Sequence, residues 1–194
     1  MKVDFKNFEI ELKDDASYRI KSAGNPIYKY EYSNGEIIKN LAFTINKRAI
    51  IVRDFERKQE ISSAILCENG GKAELTQDCF KLAEDELWIC VGDKIYCLAI
   101  PGLEVSWFRN VDFGTIHSIN FFGGDLIIHC NIGLVRIGKD GEVIWKFSEG
   151  NGVFIPGEGR LRIFEKHIEL IDGNDKQYIV DEFGKTLPRK SSDA

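Results

Sequence analysis

Proline is scarce in this chain, with 4 residues in 194, and histidine is scarcer, with 3. Few prolines combined with 43% hydrophobic and 29% charged residues exclude a proline-rich disordered chain and indicate a globular one. The histidines, His117, His129 and His167, form no HxH or HExxH arrangement, and a zinc site needs three or four converging ligands, so no metal or cofactor is expected. The five cysteines (Cys67, Cys79, Cys90, Cys97, Cys130) are odd in number and contain no CxxC pair. Cys90, Cys97 and Cys130 lie within strand-like apolar runs, and the set reads as buried free thiols in a reducing cytoplasm. No stretch approaches the roughly 18 apolar residues of a membrane span. The N-terminal "MKVDFKNFEIELKDDASYRIK" lacks the apolar core and small-residue cleavage site of a signal peptide, so the expected location is cytoplasmic. Basic charge is in deficit: 26 Lys and Arg face 31 Asp and Glu, a net charge of -5. Phosphate contacts need clustered cations, which argues against a nucleic-acid binder and leaves a basic protein partner compatible.

Thirteen Phe, 6 Tyr and 3 Trp, with frequent Ile and Val, favour sheet over helix bundle. Short apolar runs bounded by Gly, Asp and Asn recur along the chain, the signal of strands joined by tight turns. "AIIVRDFERKQEIS" (49–62), "KIYCLAIPGLEVSWF" (94–108), "IGKDGEVIWKF" (137–147) and "QYIVDEFGKTL" (177–187) each read as a hairpin. Aligning Glu60, Glu104, Glu142 and Lys185 gives spacings of 44, 38 and 43 residues. A further strand precedes each hairpin: "LAFTIN", with Asn46-Lys47 as the turn, then "ELWICVG", "DLIIHCN" and "RLRIF". Four units follow, at roughly 30–66, 76–112, 117–150 and 157–188, within a single β-repeat domain over 1–188. The alternating segment 5–12 forms an edge or closing strand, and 189–194 is a polar tail. "YEYSNGEII" (30–38) contains Asn34-Gly35, a strong hairpin signal. Residues 69–84 are the one moderate helix candidate.

Tight turns predict antiparallel pairing, since parallel neighbours need a long crossover. Stacked units bury faces that one unit cannot cover alone. Trp107 and Trp145 are then expected between neighbouring sheets, Trp88 in the core, and Asp140-Gly141 in a turn. "GLEVSWF", "GEVIWKF" and "FGKTL", as ends of strand-turn-strand units, resemble the blades of a β-propeller, in the group that includes WD40 and quinoprotein-like repeats. The resemblance covers roughly residues 30–190, with no Trp-Asp signature or Gly-His pair in register. The expected fold is all-β, with antiparallel sheets in about four propeller-blade-like repeats; a β-sandwich or barrel is the alternative.

Catalytic motifs are absent from the sequence: there is no G-x-S-x-G elbow. "IPGEGRLR" (155–162) leads into a strand rather than the helix of a phosphate loop, and reads as a turn. A Cys130 pair with His117 or His167 would have to be made in space. The glycine-rich joins, "CENGGKAELTQD", "NVDFGTI" and "SEGNGVFIPGEG", carry Glu68, Glu74, Asp78, Asp112, Glu149 and Glu158 as candidate partner-binding residues. Acidic loops on a rigid β scaffold favour a basic partner and speed its encounter. The expected function is a non-catalytic protein-binding module. By type it resembles a bacterial immunity protein, which neutralises a toxin by binding it, and the partner implied is a basic toxin domain. A β-repeat hydrolase or lyase with a dispersed site, and a scaffold or assembly protein, are the alternatives.

Overall fold

The computed structural model describes residues 1–20, 22–38, 44–72, 74–149 and 152–188; the expected polar tail, 189–194, lies outside the described residues. The chain divides into two compact units, Met1–Ile116 and His117–Ala194. In the first unit, β1 (Lys2–Phe5), β2 (Phe8–Asp14), β3 (Tyr30–Ser33), β4 (Glu36–Ile37), β5 (Asn46–Asp54) and β6 (Glu60–Glu68) form one sheet in the order β1-β2-β5-β6-β3-β4. Its second sheet is β7 (Phe80–Ala83), β8 (Glu86–Val91), β9 (Lys94–Ala99) and β10 (Val105–Asn110), each beside the next in sequence. The second unit holds a meander of β11 (Ile116–Phe122), β12 (Asp125–Cys130), β13 (Gly133–Ile137) and β14 (Val143–Phe147). It also holds a three-stranded sheet of β15 (Leu161–Ile163), β16 (His167–Ile171) and β17 (Gln177–Asp181). The fold is all-β, in four open sheets. The two four-stranded meanders have the form of propeller blades, and no sheet of the described residues closes into a barrel. No helix is long and apolar enough to cross a membrane among these residues.

Several expectations need correction. Residues 5–12 are not one strand but parts of a hairpin, β1–β2, turning at Lys6-Asn7 and pairing with β5. Asn46-Lys47 is no turn, because β5 runs straight through it opposite Glu68 and Cys67. The chain reaches β6 from β3 by a long route through β4 and β5, which permits a parallel pair, Tyr30↔Ala64 to Tyr32↔Leu66. The helix candidate at 69–84 contains one 3-10 turn, Gln77–Cys79, and then becomes strand β7.

The repeat is geometric as well as sequential. A backbone bond closes each hairpin at its return arm: Asp54 N to Gln59 O, Ala99 N to Glu104 O, Gly138 N to Glu142 O and Asp181 N to Lys185 O, all 2.9 Å. The first copy is thus aligned through Gln59 rather than Glu60. A register shift follows the turn in three of them, between Arg53/Val52, Val105/Trp107 and Ile137/Arg136, leaving Ile61, Ser106 and Ile144 as bulge residues. An aspartate opens three of the turns. Asp54 Oδ1 accepts from the Glu56 and Arg57 amides, Asp140 Oδ1 from Glu142, and Asp181 Oδ1 from Phe183 and Lys185, so the side chain replaces a turn's missing backbone acceptor. Asn34-Gly35 forms the expected hairpin turn, with φ of 51° and 75°, the left-handed pair that a two-residue hairpin requires.

Alternation places the core. Ile10, Leu12, Ile50, Val52, Ala64 and Leu66 of the first sheet meet Leu87, Ile89, Val91, Tyr96 and Leu98 of the second. The opposite face of the first sheet, with Ala49, Ile65 and Cys67, is covered by Tyr18, Ile20 and Tyr28 from the β2–β3 connection. Burying one such side chain contributes about 2 kcal/mol, so this short connection is a substantial stabilising element. Asp15 holds it, accepting from Tyr28 Oη at 2.8 Å, Ser17 Oγ at 2.8 Å and the Tyr18 amide at 3.1 Å.

In the second unit Phe122, Ile127, Leu134 and Phe147 pack against Ile168, Leu170, Tyr178 and Val180, with Phe154 inserted from the connecting loop. Trp145 does bridge neighbouring sheets: its Nε1 donates to Glu182 O at 3.0 Å, and its ring lies on Gly184. Arg136, its partner across β13–β14, donates to the same carbonyl at 2.6 Å. Trp88 is fully buried. On β10 it is Phe108, not the half-buried Trp107 on the opposite face, that packs into the core of the first unit, against the Gly35 turn.

Gly184 has a φ of 78°, and a Cβ there would lie 2.8 Å from the Trp145 ring. Gly184→Ala is expected to destabilise the protein by about 2 kcal/mol, from backbone strain plus displacement of the indole, measured by urea unfolding. An unchanged midpoint would show that this contact holds nothing.

Candidate functional site

The six acidic residues singled out by sequence divide between the units. Glu68 is not a loop residue: it ends β6 and is 1% exposed. It accepts from the Asn34 amide at 2.6 Å and from Tyr96 Oη in a short hydrogen bond, and Lys94 Nζ stands 3.9 Å away. Lys94 in turn bonds Asp93 Oδ1 at 2.5 Å and Asn69 O at 3.2 Å. Burial pushes the Glu68 carboxyl up, against the opposing pull of Tyr96, Asn34 and Lys94. Glu68 therefore ties the β3–β4 turn to both sheets and presents nothing to a partner. Glu74, Asp78 and Asp112 are exposed in the first unit, Asp78 inside the 3-10 turn and Asp112 at a φ of 49°. Glu158 is exposed in the second unit, while Glu149 is half-buried and accepts from Thr186 Oγ1 at 3.1 Å.

Within the join 148–159, the described stretch 152–159 is strapped down at Phe154. Phe154 is fully buried, edge-on to Tyr178 at 5.8 Å, and its amide donates to Asn131 O at 2.9 Å. The Gly173 amide donates to Val153 O at 2.7 Å. Alternation about this anchor turns Val153 and Ile155 outward, 54% and 42% exposed, and Ile132 beside Asn131 is 45% exposed. The backbone bond to Asn131 thus sets three large apolar side chains at one end of the second unit, within a segment whose acids are Glu149 and Glu158.

Elsewhere in the second unit, the rings of His117 and His129 lie 5.5 Å apart. His129 is 3% exposed, and its Nε2 has no hydrogen-bond partner among the described residues. Burial first, and His117 second, hold the His129 imidazole neutral with its pKa lowered to about 4; burial lowers His117 as well. Cys130, next to His129 on the strand, faces the other way, and burial pushes its thiol up to about 12. The structure therefore does not bring a thiolate to these histidines. His167 stacks on Phe164 at 4.5 Å on the fourth sheet. Among the described residues no three His, Cys, Asp or Glu side chains gather as metal ligands would.

A pairing that the sequence reading missed involves Cys79 and Cys90, which are equidistant from the Glu84-Asp85 turn. That symmetry is the signal that could have revealed it. None of the five cysteines is in a disulfide, and all are buried. Cys79 Sγ sits 3.3 Å from Thr76 Oγ1 and 3.2 Å from Glu74 O. Arg48, 1% exposed, donates from Nη1 to Cys90 O at 2.5 Å and from Nε to Asp14 Oδ1 at 3.0 Å.

No protein-family model matches the chain, and no curated protein matches it in sequence. Among solved structures it is similar to the computationally designed Ika8 protein, at 10% identity and a TM-score of 0.55, over 96% of this chain and 59% of that one. It is also similar to the computationally designed Ika4 protein, at 9% and 0.48, over 62% of this chain and 77% of that one. A third likeness, at 11% and 0.46, is to the β-propeller domain of Myceliophteria thermophila Cps50 (Swd1), over 73% of this chain and 54% of that one. The chain thus spans less than two thirds of the length of Ika8 and of the Cps50 domain. The likeness to Ika8 is one of fold.

Two outcomes test the buried groups. Glu68→Ala leaves the buried Asn34 amide and Tyr96 hydroxyl without their acceptor and is expected to cost about 3 kcal/mol in urea unfolding; a surface contact residue would lose affinity without losing stability. His129 has a folded pKa below its ordinary 6.5, so its contribution is complete above about pH 6.5 and is lost as the pH falls toward 4, to a total of about 3 kcal/mol. His129→Leu should flatten that part of the stability profile relative to the parent, and an identical slope in both proteins would refute the assignment.

Proposed function

We propose that the protein is a non-catalytic binding module whose contact surface includes Ile132, Val153 and Ile155 and the acids of the same loop, Glu149 and Glu158. Its partner is a basic protein, most concretely a toxin domain that it neutralises by direct binding. The observation that carries this reading is the strapped loop: a buried phenylalanine and two backbone bonds hold exposed apolar side chains in a fixed place. Singly exposed apolar residues are ordinary, but a pre-ordered group of three loses little conformational freedom on binding. Neighbouring carboxylates supply the long-range attraction for a cationic partner.

A basic domain encoded beside this gene, titrated calorimetrically, is the direct test. Val153→Ser with Ile155→Ser is expected to weaken binding at least about 10-fold with the unfolding midpoint unchanged. Glu149→Gln with Glu158→Gln should mainly slow association and reduce its salt dependence. Affinity unaltered by both double variants would remove this surface from the function.

A further inference from the structure

We propose that Cys79 and Cys90 form a reversible disulfide site, closed by a peroxide and reopened by a thiol reductant. The β7–β8 register runs Lys81↔Trp88 and Phe80↔Ile89, and one further step sets Cys79 opposite Cys90. Cys79 ends the 3-10 turn that leads into β7, so this step lies just beyond the ladder, and a small local closure brings opposed residues to the Cβ separation of about 4 Å that a disulfide takes. The side chains already meet, since the Cys90 thiol hydrogen-bonds Cys79. Arg48, anchored by Asp14 and by the Cys90 carbonyl, brings a buried positive charge to the pair.

The two sulfurs are not equivalent. The Cys90 hydrogen bond, then Thr76, then the Arg48 charge hold Cys79 down to about 5, while burial raises Cys67 to about 12 and Cys97 higher still. The Cys90 thiol donates toward Cys79, so Cys79 is the sulfur favoured to ionise, and the thiolate is the nucleophile. Its sulfur lies beneath Glu74, Thr76, Gln77 and Asp78, exposed residues outside any strand, so a local opening of this short segment admits a small oxidant without unfolding a sheet.

The chemistry balances with a peroxide as the two-electron oxidant. Cys79 Sγ attacks one peroxide oxygen, the O–O bond breaks, and the departing hydroxide takes a proton to leave as water, giving a sulfenic acid. Cys90 then loses its proton and attacks the Cys79 sulfur. The sulfenic hydroxyl leaves as a second water, and the disulfide is formed. A dithiol reductant reverses it by exchange. This site is independent of the loop surface of the second unit and stands whether or not the proposed binding role holds.

The full-length protein is reduced, freed of reductant, treated with hydrogen peroxide, alkylated and digested with trypsin. Because Lys81 separates the two cysteines, the expected product is a peptide ending at Lys81 linked to one ending at Lys94, which dithiothreitol separates. Intact mass falls by two hydrogens. Cys79→Ser and Cys90→Ser should each abolish the linked pair, and circular dichroism reports whether the variants fold; the mapping of the parent protein decides the matter even if they do not. The proposal is overturned if both thiols remain alkylatable after peroxide, if the disulfide joins other cysteines, or if Cys79 is carried to the sulfinic acid with Cys90 still free.

Discussion

Burial of sheet against sheet is the constraint from which the rest of the structure follows. Strands such as β8 and β9 are apolar on both faces, from Leu87 to Val91 and from Ile95 to Leu98, and carry no face that water could solvate. Such a sheet is stable only when sandwiched. The first sheet meets the same requirement from its own chain, using the β2–β3 connection to lay Tyr18, Ile20 and Tyr28 over Ile65 and Cys67. In the second unit the equivalent closure between sheets is completed by Phe154 and by the Trp145 and Arg136 contacts with the Glu182 turn.

Stacking needs strands held in a fixed register, and the turns provide it. Asp54, Asp140 and Asp181 satisfy turn amides with their own carboxylates, and a bulge after three of the turns restores the pleat phase so that apolar residues return to the buried side. The Glu68 network acts similarly at larger scale. A carboxylate in a nearly dry site joins Asn34, Tyr96 and Lys94, and its energetic penalty is offset only because each partner is in place.

The candidate surface of the second unit is a by-product of the same physics. Phe154 must be buried, so its neighbours Val153 and Ile155 must face out. The backbone beneath this exposed pair is tied by the bonds of Phe154 to Asn131 and of Gly173 to Val153. The thiol pair is likewise a consequence of register, since a tight hairpin places residues equidistant from its turn side by side.

Hairpins, turns and the repeat were legible in the sequence because they depend on residues near one another: Asn34-Gly35, Asp140-Gly141, and apolar runs interrupted by glycine. The parallel pairing of β3 with β6 was not legible, because it depends on which distant strand offers a free edge, and the β1–β2 hairpin was missed because its Lys6-Asn7 turn carries no glycine to mark it. Glu68 read as a loop acid because a single glutamate before Asn-Gly-Gly carries no local mark of burial. Cys79 and Cys90 fell in different apparent segments. The sequence by itself determined the all-β class, the meander hairpins and the acidic balance, all of which follow from local propensity and composition. Tertiary structure alone decided which acids are buried, which cysteines meet and which apolar side chains face water, because those properties come from neighbours that local sequence does not mark.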